Sequence, residues 1–384
     1  LIQGTIYVGP SAAPAFNNDI EYSASGNSAI DIQGGILTVN GQIRRSLTGT
    51  GEVLSYNQSG GIVTINGNNH NSVRAKLEIE NAGSEFNMSG GSLNIIRGGG
   101  TTFGDLYLRP ATSSVTGGTI YFGTQNTGVQ NFTLDAISPL NNITVDGIGA
   151  LNTVNLMVNP LRLNGNLIIN NNNSSFSSNN NNVFIRGDFT NNGTYTPGTN
   201  TTTFNGSTQT ISGTTATQFY DMVSGPSNAL SINNHITINH NLSLVSGTFS
   251  TSTFNANAKG NVSNNAVHQS NNNSGGILLN GTTLQQLSGT GSFGRLELNN
   301  AAGARLMNDI GLSQNLLLTN GIFDINQYIL VLGENCDIEG SQEARALLGF
   351  KREGLTVEEE AVIAGRKLEE SSPDDGFSGA AVPM

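Results

Sequence analysis

The sequence predicts an all-β fold, a right-handed parallel β-helix (a solenoid) followed by a short α-helical C-terminal tail. Two internal repeats predict this fold, because self-similarity at a fixed period is typical of repeat architectures. In the second half, the phrase N-L-x-L-x-x-G-x-F begins at Asn241 and returns at Asn315, about 74 residues later. In the first third, pairs of glycines recur at intervals of about 26 to 30 residues. We expect a right-handed coil because connections between parallel strands are almost always right-handed.

The glycine pairs open segments that have the pattern of a β-strand. Counted from the first glycine, the third and fifth residues are apolar, and period-two alternation places both on one face of a strand. The glycines suit a sharp bend before that strand. A strand and a return every 25 to 30 residues or so indicates one coil, and three such coils would make one unit of about 74 residues. The pairs are Gly34-Gly35, Gly60-Gly61, Gly90-Gly91 and Gly117-Gly118.

The longer repeat predicts the core of the second half. It aligns Ile236 with Ile310 and Phe249 with Phe323, and a degraded third copy begins at Asn166. We expect its leucines to point inward and to stack in adjacent or periodically related coils, with the two phenylalanines at equivalent places in their units. The expected inward set is Leu167, Ile169, Leu242, Leu244, Leu316 and Leu318.

The composition fits stacked strands that are joined by polar turns. Hydrophobic residues make up 36% and charged residues 11% of the chain, which has 49 glycines and 54 asparagines, the last at Asn335. Asparagine tolerates the left-handed backbone region, and its amide can pair with an amide one coil away. The asparagine runs at 170–173, 179–182 and 271–273 are therefore expected at turns, either as ladders or as flexible loops.

The chain divides into three expected segments: glycine-paired β-helix coils at 1–150, β-helix with repeats of about 74 residues at 151–338, and a charged helical tail at 339–384. Charge density rises about fourfold near Cys336, and Thr356 with Glu359 forms a capping box that opens a helix. The tail is either a native cap on the last coil or a foreign segment, and its narrow apolar stripe favours weak packing.

The strand-like N-terminus indicates a processed chain or a piece of a longer solenoid rather than a signal peptide.

Phrases of the second half resemble those of secreted Bacteroidetes surface proteins. The resemblance lies in Phe204-Asn205-Gly206, Ile211-Ser212-Gly213, Phe219-Tyr220-Asp221-Met222, Ile236-Thr237-Ile238 and residues 241–249. In that family such phrases repeat in tandem, many members are adhesins, and export by the type IX secretion system is usual. The resemblance implies an adhesin-like β-helix that is extracellular or on the outer cell surface. Residues 339–384 depart from the β-sandwich sorting domain that usually ends such cargo.

These observations lead us to expect a structural and adhesive segment of a secreted or cell-surface bacterial β-solenoid protein, which is not an enzyme. The alternatives are a carbohydrate-binding or polysaccharide-degrading β-helix protein and exported cargo of a secretion machine. The expected partners are surface glycans, host or environmental surfaces, and the secretion machinery. The net charge of -11 and the lack of a basic stripe exclude nucleic acid as a partner. No apolar run is long enough to form a membrane-spanning helix.

The sequence predicts no catalytic, cofactor-binding or metal-binding residues and no cofactor. Glycoside hydrolases need a pair of facing carboxylates, and β-helix polysaccharide enzymes place Asp with Arg or Lys on adjacent coils, whereas the aspartates here are scattered in sequence. His235 and His240 are interpreted as surface residues rather than a shared metal site, and Cys336 as an inert thiol. The aspartates considered are Asp135, Asp146, Asp188, Asp221, Asp309 and Asp324.

Overall fold

The computed structural model of the chain is an all-β solenoid. It describes residues 1–9, 18–23, 26–48, 50–68, 71–124, 128–147, 149–271, 274–334 and 336–340. The described residues contain 39 strands and no helix, so none of them forms a helix that would span a membrane. The predicted tail helices lie outside the described residues.

The strands are β1 (Thr5–Val8), β2 (Ile20–Tyr22), β3 (Asn27–Ile32), β4 (Ile36–Val39), β5 (Ile43–Arg45), β6 (Val53–Gln58), β7 (Ile62–Ile65), β8 (Leu77–Ile95), β9 (Leu106–Phe122), β10 (Gln130–Ala136), β11 (Asn142–Val145), β12 (Asn152–Leu156), β13 (Leu161–Leu163), β14 (Leu167–Ile169), β15 (Ser174–Ser177), β16 (Val183–Ile185), β17 (Phe189–Asn191), β18 (Thr194–Thr196), β19 (Thr201–Phe204), β20 (Thr208–Ser212), β21 (Thr217–Phe219), β22 (Asp221–Ser224), β23 (Ala229–Ile232), β24 (Ile236–Ile238), β25 (Leu242–Leu244), β26 (Thr248–Ser252), β27 (Asn255–Ala258), β28 (Val262–Asn264), β29 (Val267–Ser270), β30 (Gly276–Leu279), β31 (Gln285–Ser288), β32 (Ser292–Phe293), β33 (Leu296–Asn299), β34 (Ala304–Leu306), β35 (Ile310–Leu312), β36 (Leu316–Asn320), β37 (Phe323–Asp324), β38 (Leu330–Leu332) and β39 (Ile338–Gly340).

The strands form three faces, and most strands pair in parallel with their equivalents in the coils before and after them. The first face runs from β1 through β4, β7, the last parts of β8 and β9, and β11, and then through every third strand to β38. The second face runs from β2 through β5, the first parts of β8 and β9, β10 and β12 to β39. The third face runs from β3 through β6 and the middle parts of β8 and β9 to β37. The solenoid has about 14 turns.

The predicted coil length is right for the first third only. A coil spans about 31 residues from Thr5 to its partner Ile36, but about 19 residues from Ala229 to its partner Thr248. In the first third the four glycine pairs form the corner between the third and first faces, as predicted, and each precedes a strand of the first face. Strand pairing continues across residue 150, because β10 pairs with β12 and β12 pairs with β15.

The core is a continuous column of aliphatic and aromatic side chains. The six leucines and isoleucines that were expected to point inward are all buried, which confirms that part of the prediction. Period-two alternation explains this, since a three-residue strand such as β25 buries Leu242 and Leu244 and turns Ser243 outward. Phe189, Phe204 and Phe219 pack as an aromatic cluster with centroid separations of 5.8 to 6.3 Å.

The repeat of about 74 residues is not a whole number of coils, so the prediction of three coils per unit is wrong. Ile236 lies in β24 and its equivalent Ile310 lies in β35, eleven strands later, which is three and two-thirds coils. Equivalent residues therefore occupy different faces: Phe249 lies on the first face and Phe323 on the third. Strands on all three faces have the same pattern, in which two inward apolar residues flank one outward residue. The sequence repeat can therefore be counted in single strands with their turns rather than in whole coils.

Asparagine ladders stabilise the corners between faces. The Asn66 amide donates to the Asn40 side-chain oxygen one coil away at 2.9 Å, which is the amide pairing that was expected. More often the side-chain oxygen accepts a backbone N–H from the next coil, as Asn241 does from Asn261 at 3.1 Å. Asn180 has a positive φ of 66°, in the left-handed region that asparagine tolerates.

The asparagine runs at 170–173 and 179–182 lie in turns, as predicted. They carry hydrogen bonds between coils: the Asn181 amide donates to the Met157 carbonyl at 3.3 Å, and the Asn182 side chain accepts the Thr201 N–H at 2.9 Å. The two runs are therefore hydrogen-bonded turns, but their bonds between coils join side chains to backbone groups rather than like amides to each other, so they are not the amide ladders that were expected. The run at 271–273 lies mostly outside the described residues.

Candidate functional site

The six aspartates considered from the sequence are spread along the solenoid, and each forms hydrogen bonds or ion pairs with a neighbouring coil. Asp188 accepts the Thr210 N–H of the next coil at 2.8 Å, and Asp221 accepts the Asn241 N–H at 2.9 Å. Asp309 accepts the Ile329 N–H in the same way. The remaining three pair with side chains: Asp135 with Arg109, Asp146 with Asn170 and Asn171, and Asp324 with Arg305. None of these six aspartates faces another one across a shared site.

The two histidines of the strand-turn region are exposed and lie at opposite ends of β24. His240 pairs with Asp221 at 2.8 Å and stacks on Tyr220, whereas the His235 ring accepts the Asn255 N–H at 3.0 Å. Their separate partners agree with the interpretation as surface residues. Among the described residues, no group of three or more His, Cys, Asp or Glu side chains is placed to hold a metal ion.

The sequence search found no cluster of acidic and basic residues on neighbouring coils, and the structure corrects this. Such a cluster covers the second face of the first four coils, where β2, β5, β8 and β9 pair. Its members are distant in sequence and meet only because each coil returns to the same place. They are Asp19, Glu21, Arg44, Arg45, Arg74, Lys76, Glu78, Glu80 and Asp105.

Glu78 lies at the centre of this charge cluster and is fully buried. Its Oε1 atom lies 2.6 Å from the Arg45 guanidinium and 2.8 Å from the Arg74 guanidinium. Both guanidinium groups also lie over the Phe103 ring, at 5.4 and 5.2 Å from its centroid. Burial lowers the pKa of Arg45, but the hydrogen bond to Glu78 and the charges of Glu78 and Glu80 together raise it above its ordinary value. The centre of the cluster is therefore a buried ion-pair network whose two guanidinium groups pack on Phe103.

Lys76 and Asp105 form a second buried ion pair, with Nζ and Oδ1 3.2 Å apart and both side chains fully inaccessible. Burial lowers the pKa of Lys76, and the Asp105 carboxylate opposes that shift. Asp105 also accepts the Gly100 and Thr133 N–H groups, each at 2.8 Å. These hydrogen bonds join Asp105 to the next coil, so the ion pair and the carboxylate together fasten one coil to the next.

Two tyrosines border the charge cluster as protonated phenols. The Tyr22 hydroxyl donates to the Glu78 carbonyl at 2.7 Å, and burial together with the Glu78 charge raises the pKa of Tyr22. Burial and the nearby Glu80 carboxylate raise the pKa of Tyr107 to about 12. Neither phenol ionises near neutral pH, so both act as hydrogen-bond donors.

An open polar groove of about 400 Å³ lies on the third face of the same coils. One rank of its side chains is Asp31, Asn57, Asn87 and Ser114, which are paired in register across four coils. A second rank, two residues further along, is Gln33, Ser59 and Ser89, each directly before a glycine pair. Met88 and Gln58 complete the lining. Sequence analysis did not identify this groove, although the glycine pairs mark its position.

No protein-family model, curated protein or solved structure matches this chain. The candidate surfaces are therefore interpreted from their own geometry, as a buried ion-pair network on the second face and an accessible polar groove on the third.

Proposed function

We propose that the chain is a structural and adhesive segment of a secreted or cell-surface bacterial protein, without a catalytic role. The observation that carries this proposal is the uncharged and periodic flank of the solenoid. Between residues 110 and 294 the sequence has only seven charged residues. Many outward positions on consecutive coils are uncharged polar residues, as in the rank Thr210, Ser231, Ser250 and Gln269 on the first face.

A periodic flank suits attachment to a repetitive surface. Each coil presents similar hydroxyl and amide groups about 4.8 Å from those of the next coil. Many weak contacts that are made together give a binding strength that none of them has alone. This flank supports surface glycans or environmental surfaces as partners. From the sequence resemblance we also propose that the protein is located outside the cell, is related to Bacteroidetes surface proteins and is exported by the type IX secretion system.

A second candidate function is carbohydrate binding, which the open groove on the third face favours. The groove is accessible, whereas the central carboxylate of the charge cluster, Glu78, is fully buried in its ion pairs. Its exposed carboxylate, Asp31, lies beside amides and hydroxyl groups that suit the recognition of sugar hydroxyls.

The proposal predicts attachment without cleavage. Beads that carry the chain should adhere to polysaccharide-coated surfaces more strongly than beads coated with an unrelated acidic protein, and the polysaccharide should stay intact. Attachment can be measured by the flow rate that detaches the beads, and cleavage by the release of reducing ends. Equal detachment of both bead types would contradict the adhesive role. Release of reducing ends that is abolished by Asp31→Asn or Glu85→Gln would contradict the non-catalytic role.

A further inference from the structure

The polar groove on the third face is built by the same glycine pairs that mark the first repeat of the sequence. In each pair the second glycine has a positive φ, between 66° and 82°. A Cβ atom on the first glycine would lie 2.2 to 2.4 Å from a carbonyl oxygen of the preceding coil, which is a forbidden contact. The pairs are therefore restricted to glycine, and no side chain covers this corner of the first four coils.

The bare corner leaves the neighbouring side chains open on one side. Asn57 and Asn87 form the middle of the first rank, and the Asn87 amide donates to the Asn57 oxygen at 2.9 Å. Asn57 in turn donates to the Ser55 hydroxyl at 3.3 Å. This chain of hydrogen bonds orients the amides before any ligand arrives. The result is a straight row of donors and acceptors that runs parallel to the solenoid axis.

The groove ends where the glycine pairs end. In the coil after Gly117-Gly118, the corner residues are Asn141 and Asn142, and both amides donate to the Gly118 carbonyl, at 3.1 and 3.3 Å. Side chains therefore fill the corner of the fifth coil. The open part spans four coils, which is about 15 Å along the axis.

The chemistry of the lining indicates the class of ligand. The lining has amides, hydroxyl groups and one exposed carboxylate, but no cationic residue. The Asp31 carboxylate and the nearby Glu85 disfavour an anionic polymer, since like charges repel. Neutral sugars carry hydroxyl groups that both donate and accept hydrogen bonds, which matches this polar lining.

We propose that the groove binds a segment of an uncharged, extended polysaccharide that lies along the solenoid axis across the first four coils. The inference rests on the proposed adhesive function, for which it names a ligand class and a location. Asn57 and Asn87 contact the sugar hydroxyls in the centre of the groove, and Asp31 and Ser114 contact them at its two ends.

The test uses affinity electrophoresis of the full chain in gels that contain xylan, mannan, a soluble β-glucan or polygalacturonate. At least one of the three neutral polymers should retard the chain, and polygalacturonate should not. The double variant N57A/N87A should weaken that retardation about tenfold, because two hydrogen bonds are lost. The double variant S243A/S263A is the matched control, since both serines point outward on the same face several coils away.

Three results would overturn the inference: no neutral polymer binds, polygalacturonate binds as tightly as the neutral polymers, or N57A/N87A binds as the unmodified chain does. Thermal melting of both double variants checks that the fold is intact. The bead assay separates this inference from the proposed function. Beads that carry N57A/N87A and still adhere would remove the groove as the site and leave the adhesive role, whereas failure of the unmodified chain to adhere would remove both.

Discussion

The substitution Glu78→Gln is expected to lower the free energy of unfolding by about 3 to 5 kcal/mol, because it removes the buried carboxylate that Arg45 and Arg74 share. Arg45 keeps a second partner, Glu80, which is partly exposed. Arg74 keeps its hydrogen bonds to the carbonyl groups of Ser46 and Leu47 but loses its ion pair with Glu78. Chemical denaturation with a fluorescence or circular dichroism readout measures the effect.

Glu21→Gln is the matched control for this prediction. Glu21 pairs with Arg44 in the same network, but its side chain is 46% exposed. An exposed ion pair contributes about 1 kcal/mol or less, so the control variant should unfold close to the unmodified chain. Similar losses in both variants would show that burial of the network does not govern its contribution.

The second large effect is a loss of stability in acid that depends on His268. Burial lowers the pKa of His268 to about 3, and the ring is 1% exposed. Its Nδ1 atom accepts the Gly294 N–H at 3.1 Å, which fixes a neutral ring in the core. The unfolded chain binds a proton near pH 6.5, whereas the folded chain does not until about pH 3. His268 therefore stabilises the fold fully above pH 6.5, and this contribution is lost as the pH falls towards 3.

Between pH 6.5 and pH 3 the free energy of unfolding should fall by about 4 kcal/mol because of His268, and more than half of this fall should occur by pH 4. The variant His268→Gln should be less stable than the unmodified chain at pH 7.5, but its stability should fall less between pH 6.5 and pH 4. His240→Gln is the control, since His240 is exposed. Parallel stability curves for the unmodified chain and H268Q would contradict the assignment, because carboxylates alone would then explain the acid sensitivity.

The sequence was sufficient to predict the β-solenoid, its inward leucines and the glycine corners. These features are local, since period-two alternation and turn residues depend on a few neighbouring positions. The number of strands per coil was not predictable in the same way. Ile236 and Ile310 occupy the same position of the sequence repeat but lie on different faces. Because the three faces are chemically alike, a repeat of eleven strands fits the solenoid as well as a repeat of nine or twelve strands would.

The charge cluster was missed for a different reason. Arg45, Glu78 and Asp105 are separated by about 30 residues each and meet only when coil lengths are known. One signal was present in the sequence: 14 of the 29 charged residues in the first 340 positions lie between Asp19 and Arg109. The six aspartates that were considered lie outside that range, so attention to charge density would have pointed to the right coils.

Disulfide trapping tests the parallel solenoid most directly. Ser243 and Ser263 are outward neighbours on the third face, paired in register between β25 and β28. Parallel neighbours lie about 4.8 Å apart, within the range that a disulfide bridges. Thr237 and Ser243 are closer in sequence but lie on the second and third faces, with a corner between them. In a Cys336→Ser background, the account predicts that S243C/S263C oxidises to an intrachain disulfide and that T237C/S243C stays reduced. Oxidation of T237C/S243C together with a reduced S243C/S263C pair would contradict the solenoid.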